Sequence, residues 1–148
     1  MKKLLLLFAF FTMSYGLFAQ EVGIRFGDGY NHVAIDGVFT LGQFSRVHAD
    51  VNFGSGVGIE ALWDFLYRPV ADVDGLDWYV GVGPALRIDD PFFFGPAGEI
   101  GIEYHFDFPL AIGVDWRPVF WIVEDTDFMA DSFGLNIRYV FGKVDRSR

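Results

Sequence analysis

A chain of 148 residues that sets twenty acidic side chains against eleven lysines and arginines, for a net charge of −9, lacks the basic footprint that nucleic-acid binding requires. It has no cysteine, which excludes a disulfide framework and thiolate metal centres. Its length suits a single domain.

In chain order, residues 1–19 open with Met-Lys-Lys, continue through the apolar run Leu4 to Phe11 and close at Leu17-Phe18-Ala19, the three-part build of a secretory signal peptide. The run is too short for a transmembrane helix, and cleavage is expected after Ala19, with Gln20 as the alternative. No cysteine follows to accept a lipid anchor. Removing Lys2 and Lys3 with the signal leaves nine basic residues against twenty acids. The expected division is therefore a signal peptide over 1–19, one domain over 20–142 and a short polar tail over 143–148.

Eight alternating segments follow, at 21–28, 32–41, 46–54, 56–68, 76–89, 92–106, 109–123 and 132–141, each with the period of two that marks a strand with unlike faces. In the fourth, Val57, Ile59, Ala61, Trp63, Phe65 and Tyr67 alternate with Gly58, Glu60, Leu62, Asp64, Leu66 and Arg68. In the sixth, Ile100, Ile102, Tyr104 and Phe106 alternate with Glu99, Gly101, Glu103 and His105. The connections are short and rich in Gly, Asp, Asn and Pro, as tight reversals require. With the N-terminus on the inner side, the longest outward connection is the acidic stretch Glu124 to Asp131. Aromatic residues cluster near strand ends: Trp63, Phe65, Tyr67, Trp78, Tyr104, Phe106, Tyr139 and Phe141 toward one end, and Phe53, Phe94, Phe120 and Phe133 toward the other. That is the arrangement of two interfacial girdles.

In the last segment, Phe133, Leu135, Ile137, Tyr139 and Phe141 alternate with Gly134, Asn136, Arg138 and Val140. One face is wholly apolar and ends in aromatics; the other carries a glycine, an amide and an arginine. Ser132, Gly134, Ile137, Tyr139 and Phe141 fall at a spacing that resembles the C-terminal assembly signal of bacterial outer-membrane barrels. The chain as a whole resembles small eight-stranded outer-membrane barrels of the OmpA/OmpX type. The resemblance implies an all-β, eight-stranded antiparallel transmembrane barrel with a polar, side-chain-filled lumen. It also implies a monomer in the cell outer membrane, in contact with membrane lipid and with the insertion machinery during assembly. In that family the chain usually ends on the aromatic residue; here Gly142 to Arg148 follow.

A soluble lipocalin-like barrel alternates too, so the composition of the polar face has to decide. All six strand arginines, Arg25, Arg46, Arg68, Arg87, Arg117 and Arg138, share it with Asp36, Asp50, Glu60, Asp64, Asp77, Glu99, Glu103 and Asp115. The only lysine after the signal is Lys143. A water-facing surface uses lysine freely, whereas a confined lumen favours the planar fork of arginine, which pairs bidentately with carboxylates. No charge falls on the opposite face, where lysine or arginine would cost about 2–4 kcal/mol at the membrane midplane.

The charged set is expected to fill the lumen as ion pairs, since eight strands leave room for side chains and little else. His48 and His105 lie on the same face and His32 near the first reversal. Glu103 and Asp50 each stand two residues from a lumen histidine, a pattern compatible with a metal ligand or a base. Strands three and six are not neighbours, however, and every serine after the signal lies in a turn or at a terminus, so no catalytic set is assigned. Asp72-Val-Asp-Gly-Leu-Asp77 has the look of a clipped calcium loop and is expected to be a solvated turn; Gly54-Ser-Gly-Val-Gly58 is a hairpin with no helix to hold phosphate. No cofactor or metal is expected. Pro84, Pro96 and Pro118, all of outward parity, are expected at about one height, where each removes a ladder donor. They would form either a bent wall or a lateral seam. The functional expectation is a non-catalytic structural or surface-interaction barrel, with a lipid-modifying or lipid-binding barrel enzyme as the alternative.

Overall fold

The computed structural model describes residues 19–28, 31–42, 44–123 and 126–141. The signal-peptide residues before Ala19, the acidic pair Glu124-Asp125 and the polar tail lie outside them. The strands are β1 (Ala19–Gly27), β2 (Asn31–Thr40), β3 (Arg46–Gly54), β4 (Gly56–Pro69), β5 (Leu76–Ile88), β6 (Phe93–His105), β7 (Leu110–Trp116), β8 (Val119–Trp121), β9 (Asp127–Met129) and β10 (Phe133–Val140). Every pairing is antiparallel; β1 pairs with both β2 and β10, and β5 with both β4 and β6, which closes the sheet. The result is an eight-stranded antiparallel barrel with no helix among the described residues, because β7 with β8 and β9 with β10 each make one interrupted stave. The first and last strands meet in an unbroken register from Glu21↔Val140 to Gly27↔Gly134, so both chain ends lie at one end of the barrel. The turns after β1, β3, β5 and β8 lie at the other.

The seventh alternating segment is not one strand. It breaks at Arg117-Pro118 because proline brings no N–H to the ladder. The Arg117 N–H donates to Ser132 O (2.8 Å), and the Pro118 carbonyl accepts from Gly98 N–H (2.9 Å). Beyond the break, β8 turns back into β9 through Val119↔Met129, Phe120↔Phe128 and Trp121↔Asp127. Three residues of the acidic stretch expected to be a loop, Asp127–Met129, are thus a strand. Its acidic composition masks the cross-strand pair Phe120–Phe128, whose ring centroids are 6.5 Å apart.

A second departure sits in β4. Asp64 pairs with Gly81 but Leu66 pairs with Val80, so Phe65 is an extra residue, a bulge that reverses the face of everything after it. Tyr67, expected on the outer surface, is buried, and Arg68, expected in the interior, is turned out. Its guanidinium lies 3.8 Å from the centroid of the Phe44 ring.

Pro84 is the direct partner of Pro96, within a β5–β6 register that runs without a shift from Leu76↔Tyr104 to Arg87↔Phe93. The missing donors tell on the other flanks. Pairing of β4 with β5 stops at Glu60↔Ala85 and resumes at Trp63↔Val82, and pairing of β6 with β8 is reduced to Ala97↔Val119. The Asp72–Asp77 segment is a tight turn in which Asp72 (φ 66°) and Gly75 (φ 83°) take left-handed backbone, with Gly75 O accepting from His105 N–H at 2.7 Å.

Candidate functional site

Alternation along each strand sends one set of side chains toward the barrel axis, and many of its buried members are charged. Arg25, Arg46, Arg117 and Arg138 are buried together with Glu21, Asp36, Asp50, Glu60, Asp64, Glu99, Glu103 and Asp115. Arg117, donated from the broken stave, is at the centre of the half nearer the β8–β9 hairpin. It donates to Asp50 Oδ2 (2.8 Å) and Glu60 Oε2 (3.3 Å), and its Nε lies 3.0 Å from Glu99 and 3.2 Å from Asp115. Arg25 donates from Nε and Nη2 to Asp115 Oδ1 at 2.9 and 2.6 Å, while Asn136 Nδ2 donates to Asp115 Oδ2 at 2.8 Å.

Nearer the chain termini, Arg138 reaches Glu21 (2.8 Å), Asp36 (3.0 Å) and Glu103. Arg46 reaches Asp64 (2.8 Å) and Glu103, and lies between the rings of Tyr67 (4.2 Å) and Tyr79 (4.5 Å). His105 Nε2 is 2.7 Å from Glu21 and its Nδ1 3.4 Å from the half-buried Asp77, which also accepts from Tyr67 O–H at 2.9 Å.

The long side chains fit because glycines face them. A Cβ on Gly134 would stand 2.4 Å from the Arg25 guanidinium, one on Gly101 2.3 Å from the Tyr79 ring, and one on Gly81 2.4 Å from Asp64 Oδ1.

Among the described residues, three groups have metal-compatible spacing, with ligand atoms within 4.8 Å of one another: Glu21–Glu103–His105, Asp36–His48–Asp50 and His48–Asp64–Glu99. An arginine already stands at each. Arg138 is on Glu21 and Glu103; Arg117 is on Asp50, Glu99 and His48; Arg46 is on Asp64. Arg117 Nη2 lies 3.0 Å from His48 Nδ1, and since guanidinium only donates, Nδ1 accepts and the proton sits on Nε2, 3.2 Å from Asp64 Oδ2. In that tautomer His48 has no lone pair to offer a cation.

Strands β3 and β6 are apart in the sheet, yet His48 and Glu99 meet 3.8 Å apart across the axis. Separation along the sheet therefore does not keep their side chains apart, because an eight-stranded interior is one side chain wide. Ser45 Oγ accepts from Trp63 Nε1, and Ser132 is buried with its carbonyl on Arg117; neither has a histidine partner among the described contacts. His32 is exposed.

Of the residues expected in the network, Arg68 is removed by the bulge. Arg87 keeps its parity but lies past the charges, donating to Ser55 O (2.9 Å) and Asp89 Oδ2 (2.8 Å). Glu21, Asn52, Asn136 and Tyr79 belong to the buried polar interior as well, and Glu21 was detectable from its parity with Gly23 and Arg25. Between the charges and the β8–β9 end lies an apolar layer of Leu62, Ala85, Ala97, Val119 and Trp121, packed with Phe93 and Met129. Of the expected assembly-signal residues, Ser132 is buried, Gly134 faces Arg25, and Ile137, Tyr139 and Phe141 are exposed. Pro84 and Pro96 are exposed and Pro118 is half-buried.

No protein-family model matches the chain, and a search of curated proteins finds no match.

Proposed function

We propose that this chain is a non-catalytic integral barrel of the bacterial outer membrane, of the OmpA/OmpX type, whose polar lumen is a plug of ion pairs and whose role is structural or directed to the surface. The observation that carries this reading is the inverted distribution of side chains. The charges are buried, while Ile24, Ile35, Val51, Ile59, Val82, Ile100, Val114 and Ile137 are among a band of large apolar residues turned outward from every stave. A soluble monomer rarely exposes a contiguous apolar patch of more than a few hundred Å², whereas a lipid-facing wall consists of one.

The ends of that band carry aromatics. Trp63–Phe65, Tyr104–Phe106–Phe108 and Tyr139–Phe141 pack as neighbours toward the terminal end; Phe53, Phe94, Phe120 and Phe133 are exposed toward the other. Trp63 and Trp116 bond their indole N–H to Ser45 and Ala130, as amphipathic rings at an interface do. The charge cluster bears on the plug: Arg46, Arg117 and Arg138 each reach carboxylates from more than one strand, which ties the staves together.

Fractionation and gel mobility test the reading. The expected outcome is a mature protein in the outer-membrane fraction that migrates faster unboiled than boiled on an SDS gel. Recovery in the soluble periplasmic fraction with no mobility shift would overturn it.

A further inference from the structure

The apolar layer does not fill the barrel to its rim. Above it, at the β8–β9 end, lies a cavity of about 500 Å³, within the range of small-molecule sites. Its wall is built by the hairpin beyond the Pro118 break, which brings Trp121 and Met129 over against Phe93 and Arg87 of the β5–β6 hairpin. The floor is aromatic: Phe93 and Trp121 lie 5.8 Å apart at 58°, with Trp121 only 2% exposed. The floor is also sealed, because Leu62, Ala85, Ala97 and Val119 pack beneath it.

Among the described residues that line the cavity, Asp127 is a carboxylate without an ion pair. The Arg87 guanidinium sits over the Phe93 ring at 5.2 Å and is ion-paired with Asp89. Asp89 is held ionised below the usual carboxylate range by the backbone N–H of Asp90 and by Arg87. Asp127, exposed on the opposite lip, has no ion pair among the described residues. An apolar ring entering this cavity packs against Phe93 and the edge of the buried Trp121 that lines it, and leaves its polar end level with Asp127, where a positive group gains and a negative group loses.

We infer that the cavity between the β5–β6 and β8–β9 hairpins is a binding site for a small aromatic ammonium compound, its ring on Phe93 and Trp121 and its cation at Asp127. The cavity is the same whichever solvent surrounds the outer wall, so its occupancy is separable from membrane placement.

The test uses the full-length folded protein in detergent, titrated by calorimetry with three probes of one shape: phenethylammonium, 2-phenylethanol and 3-phenylpropionate. Saturable 1:1 binding is expected for the ammonium, with the carboxylate about tenfold weaker, since one rim charge attracts the first and repels the second. Asp127→Asn should weaken the ammonium by about threefold and leave the alcohol unchanged. Trp121→Leu should weaken all three; its heat-shifted gel mobility checks that the barrel still forms. A second readout follows Trp121 fluorescence in a variant with Trp63, Trp78 and Trp116 changed to Phe. Partition of all three probes without saturation, equal affinity for the three, or tighter binding of the carboxylate would each overturn the inference.

Discussion

Arg117 reaches four buried carboxylates and His48, and its surroundings show how unevenly the buried charges depend on one another. Among the described residues eight buried carboxyl groups stand against four buried arginines, so carboxylates are in surplus and Arg46, Arg117 and Arg138 each serve more than one. Arg117→Met keeps volume but takes from Asp50, Glu60 and Glu99 the guanidinium they share, a loss of roughly 3–5 kcal/mol by the behaviour of broken buried pairs. Glu99→Gln acts in the other direction. It removes one of two carboxylates that converge at Gly81, where Asp64 Oδ1 and Glu99 Oε1 approach the same point, and it should be neutral or stabilising. Guanidinium unfolding of the folded barrel, followed by tryptophan fluorescence, compares the two. A Glu99→Gln loss as large as that of Arg117→Met would show that the surplus is only apparent. At this scale the alternation in the sequence located Arg25, Arg46, Arg117 and Arg138 with their acids. It misplaced Arg68 and Tyr67, because the bulge at Phe65 is made by an ordinary residue and leaves no glycine or proline to read.

At the scale of elements, β6 carries two contrasting glycines. Gly101 lies under the Tyr79 ring and has no room for a methyl group, whereas the nearest atom to a Cβ on Gly98 is 3.8 Å away. Gly101→Ala is expected to displace Tyr79 from Arg46 at a cost of about 1–3 kcal/mol, and Gly98→Ala to change stability little. Equal effects would mean that the fit of Tyr79 on Gly101 contributes nothing. The prolines act on ladders instead. Backbone amides flanking the gap at Ala61 and Leu62, and those of β8, should exchange faster than those of β1 and β10, whose register is unbroken. Hydrogen exchange read residue by residue decides this, and uniform protection around the barrel would rule out a weak seam. The strands themselves were legible because, the bulge in β4 aside, they keep one parity along the chain. The β8–β9 hairpin was not, since its residues are too few to show a period and its acids read as a loop.

For the whole molecule, the two solvents that the wall could face predict opposite signs for one substitution. Ile137 lies at the middle of β10, opposite Ile24 of β1 and Ile112 of β7, with its side chain 39% exposed, so a change there meets the surroundings more than the interior. If the wall faces water, Ile137→Arg replaces an exposed apolar group by a solvated charge between β-branched neighbours, which is close to neutral for folding and favours solubility. If it faces hydrocarbon at mid-height, the same arginine costs about 2–4 kcal/mol. Ile137→Leu, which changes shape and keeps polarity, reports how much of any effect is packing, and Val140→Thr, buried on the other face of the same strand, reports on the interior. The membrane reading expects Ile137→Arg alone to lower the folded, fast-migrating fraction after refolding into lipid vesicles, with Leu and Thr near wild type. A folded fraction unchanged by the arginine, in vesicles thick enough to span the apolar band, would place this wall in water and make the buried charges the core of a soluble barrel.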